Sequence, residues 1–245
     1  MGGNARHHEP RSPSGKRLGT RTVLAIGPHP DDIEIGVGGT LLTLAAAGHA
    51  VHMLDVTDGE PTPRGDPQTR AGESARAAEV LGVRSRTTLD LPNRYLMDGV
   101  EARTKVAEVI RRIRPDLLLV PYWVDAHPDH VHASHICDAA RFQAKFTKTD
   151  MTGEPWYPSR IFYYLCSHLR IEFPADLVVD VSAHFKTKTE ALKCYASQFE
   201  VDGKLPVVDL MTRYAAYFGA LIGAEYGEPL VSREPVGVTD IRDII

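Results

Sequence analysis

Thr22-Val23-Leu24-Ala25-Ile26-Gly27-Pro28-His29-Pro30-Asp31-Asp32 is the stretch on which the fold turns. Its first half is a short, unbroken apolar run, which is how a strand buried on both faces of a parallel sheet reads. Its second half is polar and stiff, because a proline follows the histidine and fixes the chain direction where the strand ends. A cluster of the same chemical type, His127-Pro128-Asp129-His130, follows another apolar run near residues 116–122. A single His-Pro-Asp reads as a solvated turn with its Asp capping a helix. Two of them, each at a strand end, read as the halves of one site.

Outward from these turns, extended apolar runs alternate with amphipathic stretches in the βαβα order of a parallel sheet. Strands are predicted near 22–28, 50–57, 86–91, 116–122, 160–167 and 176–181. Helices fall near 36–48, 68–81, 100–113 and 129–145, punctuated by Gly48, Gly82 and Pro115, and two more amphipathic segments near 184–198 and 209–224 close the chain. The expected architecture is α/β: a Rossmann-like, doubly wound, mostly parallel sheet in the order 3-2-1-4-5, with helices on both faces. In that order strands 1 and 4 are neighbours, and ligands bind at the carboxyl ends of the strands flanking such a switch point. The fold therefore predicts that the two clusters meet. Residues 1–20, rich in Gly, Arg, Ser and Pro, read as a mobile tail, and 21–245 as a single domain without a linker.

The 245 residues are 43% hydrophobic and 24% charged with a net charge of -4, an ordinary composition able to bury a sizeable core. Charges of both signs are mixed along the chain, so there is no broad basic field for nucleic acid or an anionic membrane. No run approaches the length of a membrane span, and the first twenty residues are not signal-like, which gives the expectation of a cytoplasmic protein with a small-molecule substrate. Cys137, Cys166 and Cys194 are widely spaced and odd in number, and read as buried free thiols.

Imidazole and carboxylate are ligands that a borderline metal such as zinc accepts, and hydrolytic sites use three protein ligands with a position left for water. Gly36-Val37-Gly38-Gly39 invites a nucleotide-binding reading, but it does not meet GxGxxG and the preceding turn carries two carboxylates that would repel phosphate. Close packing of the first helix on the sheet explains these glycines better. His132 and His135 read as core or surface, and His168 and His184 have no ligand-like partners.

The chain resembles the PIG-L/LmbE-like zinc-dependent N-deacetylases, whose (P)HPDD and HPDH motifs are both intact here. The likeness takes in Thr57-Asp58-Gly59-Glu60, Arg70, Glu73 to Gly82 and the C-terminal portion, covering about residues 20 to 232. Ala191 to Phe199 and Gly223 to Pro229 look most like the bacillithiol-pathway branch, which deacetylates N-acetylglucosaminyl malate; its members are trimer-based hexamers, so the resemblance also implies a homo-oligomer. Carried over by position, it implies that His29, Asp32 and His130 bind the metal, Zn²⁺ with Fe²⁺, Co²⁺ or Mn²⁺ as alternatives, and that Asp31 is the general base. His127 would face the reacting carbonyl, and in its protonated form could join Zn²⁺ in stabilising the oxyanion. Either Asp31 or His127 would then protonate the leaving amine.

Around this set, Asp129 is expected either to orient His127 through its ring or to cap the helix from His130. Glu60 and Arg70 are expected to meet sugar hydroxyls or a substrate carboxylate at the rim. Two departures stand out: Ala126, where relatives of the bacillithiol type often carry arginine, and an enlarged loop from Phe142 to Pro158, whose Trp156 and Tyr157 could stack on a sugar ring. The expected partner is a small N-acetylated amino-sugar. The competing readings are a thiol-conjugate amidase of the same family and a non-catalytic metal- or nucleotide-binding module.

Overall fold

The computed structural model describes residues 19–166, 168 and 170–237, so the tail expected over residues 1–20 lies almost wholly outside them. Strand β1 (Thr22–Gly27) passes through a tight turn into helix α1 (Asp32–Ala46). β2 (Ala50–Asp55), α2 (Pro67–Leu81), β3 (Ser85–Thr88), α3 (Val100–Ile113), β4 (Leu117–Pro121), α4 (Pro128–Gln143) and β5 (Arg160–Tyr164) follow in strict alternation. Beyond them come β6 (Leu177–Asp180), a 3₁₀ turn (Ser182–His184), α5 (Phe185–Lys193), the short α6 (Ala196–Phe199), α7 (Pro206–Leu221) and β7 (Gly227–Val231).

The seven strands lie in the order β3-β2-β1-β4-β5-β7-β6. β1 pairs in parallel with β2 and β4, which places the two histidine turns side by side as expected. The alternation of side chains along β1 explains its unbroken apolar run. Leu24 and Ile26 pack into a core with α3 and α4, while Val23 and Ala25 pack into a second core with α1, α2 and α5.

The expected order 3-2-1-4-5 holds for the first five strands, and β7 and β6 extend it. β7 runs antiparallel to both β5 and β6 and lies between them. Its sequence, Gly-Glu-Pro-Leu-Val, carries two residues that argue against a strand, which is why pattern reading passes over it. The segment 184–198 is likewise not one helix but the end of a 3₁₀ turn and two helices.

Helix α1 begins four residues earlier than its apolar pattern suggests, and it is broken: Val37 has φ -140° and ψ 15°. The glycines on either side have packing reasons. A Cβ on Gly36 would enter the ring of Tyr164 in β5, and one on Gly39 would lie 2.7 Å from Cβ of Val181. Both glycines bring α1 against the sheet, in line with the packing explanation drawn from the sequence.

Candidate metal centre and active-site cleft

The turn after β1 is strained. Asp31 sits at φ 126°, a conformation that side-chain-bearing residues rarely adopt and that costs about 1–3 kcal/mol. The strain turns the Asp31 and Asp32 carboxylates towards the carboxyl end of the sheet. Asp32 opens α1, and its Oδ2 accepts the amide of His29 at 3.1 Å and lies 3.1 Å from His29 Nδ1.

The turn after β4 is regular. His127 is the N-cap of α4: its Nδ1 accepts the amide of Asp129 at 3.2 Å, and Pro128 fills the first helical position, where no amide donor is missed. One turn into the helix, His130 is fully buried. Its Nδ1 pairs with Asp125 Oδ2 at 2.8 Å, and its Nε2 lies 3.3 Å from Asp32 Oδ2 with no hydrogen-bond partner among the described residues. One ligand atom from each of His29, Asp32 and His130 lies within 4.8 Å of the others.

Each histidine of this triad is thus backed by a carboxylate, as metal-ligating histidines are. Asp125 backs His130. Asp129 backs His29, its Oδ2 lying 3.2 Å from His29 Nε2 and also accepting the amide of Arg94 at 2.6 Å, with Leu96 donating to Oδ1 at 3.2 Å. The expected pairing of the Asp129 carboxylate with His127 is therefore corrected: the chain direction at the helix start aims it across the site, and only its amide meets His127. The capping role proposed for Asp129 falls to His127.

The electrostatics follow from burial and these pairs. Burial lowers the pKa of His29, but the bonds to Asp129 and Asp32 outweigh it and raise it to about 9. Burial lowers that of His130 too, and Asp32 and Asp125 more than reverse it. Burial pushes Asp32 up, yet the charge and hydrogen bond of His130, with those of His29, hold it well below the carboxylate range. For Asp31 burial wins, opposed by Arg70 and helped by the nearby Asp32, and its pKa rises to about 7. His127 is pushed down to about 4 by burial and by the charges of His130 and His29, so the protonated His127 expected from the sequence gives way to a neutral ring. Because its Nδ1 accepts a backbone amide, the proton of that neutral ring sits on Nε2.

His29, Asp31, Asp32 and His127 line one cleft of about 350 Å³, with walls from the loops after β1, β2, β3 and β4 and from α6. Arg70 is brought in as expected. Its Nη2 donates to Asp31 Oδ2 at 3.1 Å, its guanidinium lies 5.6 Å from the ring centre of Tyr195, and its buried Nε and Nη1 have no partner among the described residues. Glu60 is not brought in. Its carboxylate turns back onto Thr62, accepting the amide at 2.6 Å and the hydroxyl at 2.8 Å, and borders a neighbouring depression with Asp58 and Asn93. Trp156 lies at the other end of the sheet, its Nε1 donating to the carbonyl of Pro115 at 2.7 Å. Tyr157 packs under Arg141, 4.6 Å away, so neither aromatic forms a sugar platform in the cleft.

The sequence reading missed three contributors. His168 lines the cleft, its ring 5.3 Å from that of His127 and 5.0 Å from that of His130; standing alone after β5, it gave no spacing signal. Asp125 was legible in principle as an acid two residues before the second cluster. Gln198 enters from α6, which no local pattern ties to the site.

A buried His₂Asp triad at a parallel switch point, with the Arg70-paired carboxylate of Asp31 beside it in a cleft, defines a metal-dependent hydrolase. The sequence profile described as "PIG-L: GlcNAc-PI de-N-acetylase" matches residues 24–141. Diacetylchitobiose deacetylase of Thermococcus kodakarensis is 33% identical over 85% of this chain and 81% of its own length. A Streptomyces avermitilis enzyme, 1D-myo-inositol 2-acetamido-2-deoxy-alpha-D-glucopyranoside deacetylase, is 28% identical over 77% of this chain and 86% of its own. Among solved structures, the conserved protein TT1542 of Thermus thermophilus superposes with a TM-score of 0.83 at 36% identity, covering 91% of this chain and 99% of that one. The N,N'-diacetylchitobiose deacetylase of Pyrococcus horikoshii gives 0.78 at 25% identity, covering 93% and 90%. The chain belongs to the PIG-L family, and it is an N-deacetylase, a hydrolase of an amide bond. Deacetylases of chitobiose and of an inositol glycoside lend no support to the narrower bacillithiol branch. Among the described residues, no helix is long and apolar enough to cross a membrane.

Proposed function

We propose that the chain removes acetate from the acetamido group of an N-acetylglucosamine-type glycoside, with a divalent cation, zinc first among the candidates, held by His29, Asp32 and His130. The observation that carries the reading is the convergence of these three ligand atoms within 4.8 Å, with the Asp31 carboxyl in the same cleft. The triad fits a cation on its own terms. Among the described residues His130 Nε2 is buried without a hydrogen-bond partner, and the far nitrogen of each histidine is already committed to a carboxylate. A cation held there supplies Lewis acidity, making a water acidic near neutral pH and polarising the amide carbonyl.

The chain's own residues do the rest. Asp31, fixed by Arg70, takes a proton from the attacking water as the oxygen bonds to the acetyl carbon. Neutral His127 offers its Nε2–H to the carbonyl oxygen, where charge develops. As the C–N bond breaks, Asp31 returns its proton to the amine, giving acetate and a free amino sugar. The unpaired donors of Arg70 suit a hydroxyl or carboxylate of the substrate.

Acetate release is to be measured on N,N'-diacetylchitobiose, an N-acetylglucosaminyl inositol and N-acetylglucosaminyl malate, with metal content determined before and after chelation. Chelator-sensitive acetate from any of them supports the reading, and the preferred one sets the aglycone. Cleavage of a thiol conjugate with no acetate from any sugar overturns it in favour of a conjugate amidase. A homo-oligomer, trimer or hexamer, is part of this reading, and light scattering of the full chain tests it.

A further inference from the structure

The break in α1 leaves peptide groups of both polarities without helical partners. In an unbroken helix the amides of Gly39 and Thr40 would bond to the carbonyls of Ile35 and Gly36. Here they turn away. Glu228 of β7 takes both, Oε1 accepting Gly39 at 2.9 Å and Oε2 accepting Thr40 at 2.6 Å together with the Thr40 hydroxyl at 2.6 Å. The abandoned carbonyl of Ile35 is taken by Lys188 of α5, whose Nζ donates to it at 2.7 Å and to Glu228 Oε1 at 2.6 Å. Both residues are 2% exposed.

An anion and a cation are needed together, because a lone carboxylate would leave the carbonyl unsatisfied and its own charge unpaired in a dry interior. The pair reaches the site through one residue, Ile35. Ile35 gives its carbonyl to Lys188 and its amide to the carbonyl of Asp31 at 2.9 Å, and it also lines the cleft. Asp31, held at a strained φ, and Asp32 sit on the short turn that this connection pins. Tyr164 closes the same turn from below, its hydroxyl donating to the carbonyl of Ile26 at 2.8 Å and its ring lying against Gly36.

We propose that Lys188 and Glu228 are positioning residues for Asp31 and Asp32: the ion pair replaces the missing helical hydrogen bonds of α1 and so sets where the base and the carboxylate ligand stand. The proposal rests on the deacetylase reading of the cleft, but metal binding tests it without turnover.

The experiment compares full-length wild type with Lys188→Met and Glu228→Gln, metal-loaded, for kcat and KM on the substrate with the highest acetate release. Zinc affinity by chelator competition and the visible spectrum of the Co²⁺-substituted protein are read alongside. Each variant is expected to keep its secondary structure and a KM near that of wild type. Each should lose about 10–100-fold in kcat and weaken zinc by a comparable factor, as supports behind a ligand do, with a changed Co²⁺ spectrum. A folded variant with wild-type kcat, zinc affinity and spectrum overturns the proposal. Should both variants fail to fold, Thr40→Val, which removes only one donor to Glu228, decides: a smaller loss in kcat with a shifted Co²⁺ spectrum supports positioning, and wild-type values of both overturn it. If no substrate yields acetate, the zinc and Co²⁺ readings still test the pair, so its failure is distinct from failure of the proposed activity.

Discussion

The two histidine turns bring comparable chemistry to one place by opposite means. The turn after β4 is held by its neighbours in sequence: His127 caps its own helix, Pro128 starts it, and Asp125 steadies His130 from five residues away. The turn after β1 is held by strangers. Asp31 is strained, α1 breaks at Val37, and the residues that steady the turn are Arg70, Asp129, Lys188 and Glu228, drawn from four other elements. On the proposed roles, a ligand can be placed by local rules, whereas a base that must stand beside the ligand in a disfavoured conformation needs the whole fold behind it.

The comparison is tested most severely at Asp31. Asp31→Ala should cut kcat by about 10²–10⁴-fold, the usual worth of a general base, while retaining metal by elemental analysis; equal loss of metal would make Asp31 a ligand instead. Asp31→Gly should be as inactive but more stable to urea than Asp31→Ala by about 1–3 kcal/mol, since glycine accepts the positive φ.

The next largest effects separate the two supports. Asp125→Asn and Asp129→Asn should each weaken zinc by about 10–100-fold. Asp129→Asn should act through His29, so nuclear magnetic resonance titration of the metal-free variant should find the His29 pKa well below the wild-type value. An unchanged His29 pKa would break the link between the turns.

Acidity sharpens the same point. The folded pKa of His29, about 9, lies above its ordinary 6.5, so its charge stabilises the metal-free fold fully below about pH 6.5. That contribution is lost as pH rises through about 9. Metal must displace this proton, so zinc affinity should fall by up to about tenfold for each unit below pH 9, as measured by chelator competition. The smallest effect is expected outside both turns. Trp156→Phe should cost about 1 kcal/mol of stability through the lost bond to Pro115 and leave kcat/KM unchanged, and a raised KM would return Trp156 to the substrate.

What the sequence made legible follows the same division. β1 to β5, their order and the convergence of His29, Asp32 and His130 could be read because apolar runs and strand-end motifs are local signals. Arg70 was legible through the family resemblance. Glu60 was misplaced because its carboxylate is consumed by Thr62, two residues on, which spacing does not reveal. The partner of Asp129 was misassigned because the near choice, His127, had already spent its Nδ1 on a backbone amide. β7 was passed over because Gly227 and Pro229 sit within it, and with it went the role of Glu228.

That last strand carries a consequence for biosynthesis. Ribosomes deliver the chain from its amino end, so residues 29–40 emerge long before residue 228. Until β7 slots between β5 and β6, Lys188 has no counter-ion and the amides at the α1 break have no acceptor. On the positioning proposal, a chain that had built its first five strands but not yet docked β7 would be catalytically immature, its early-made loop awaiting a carboxylate from the last of the described strands.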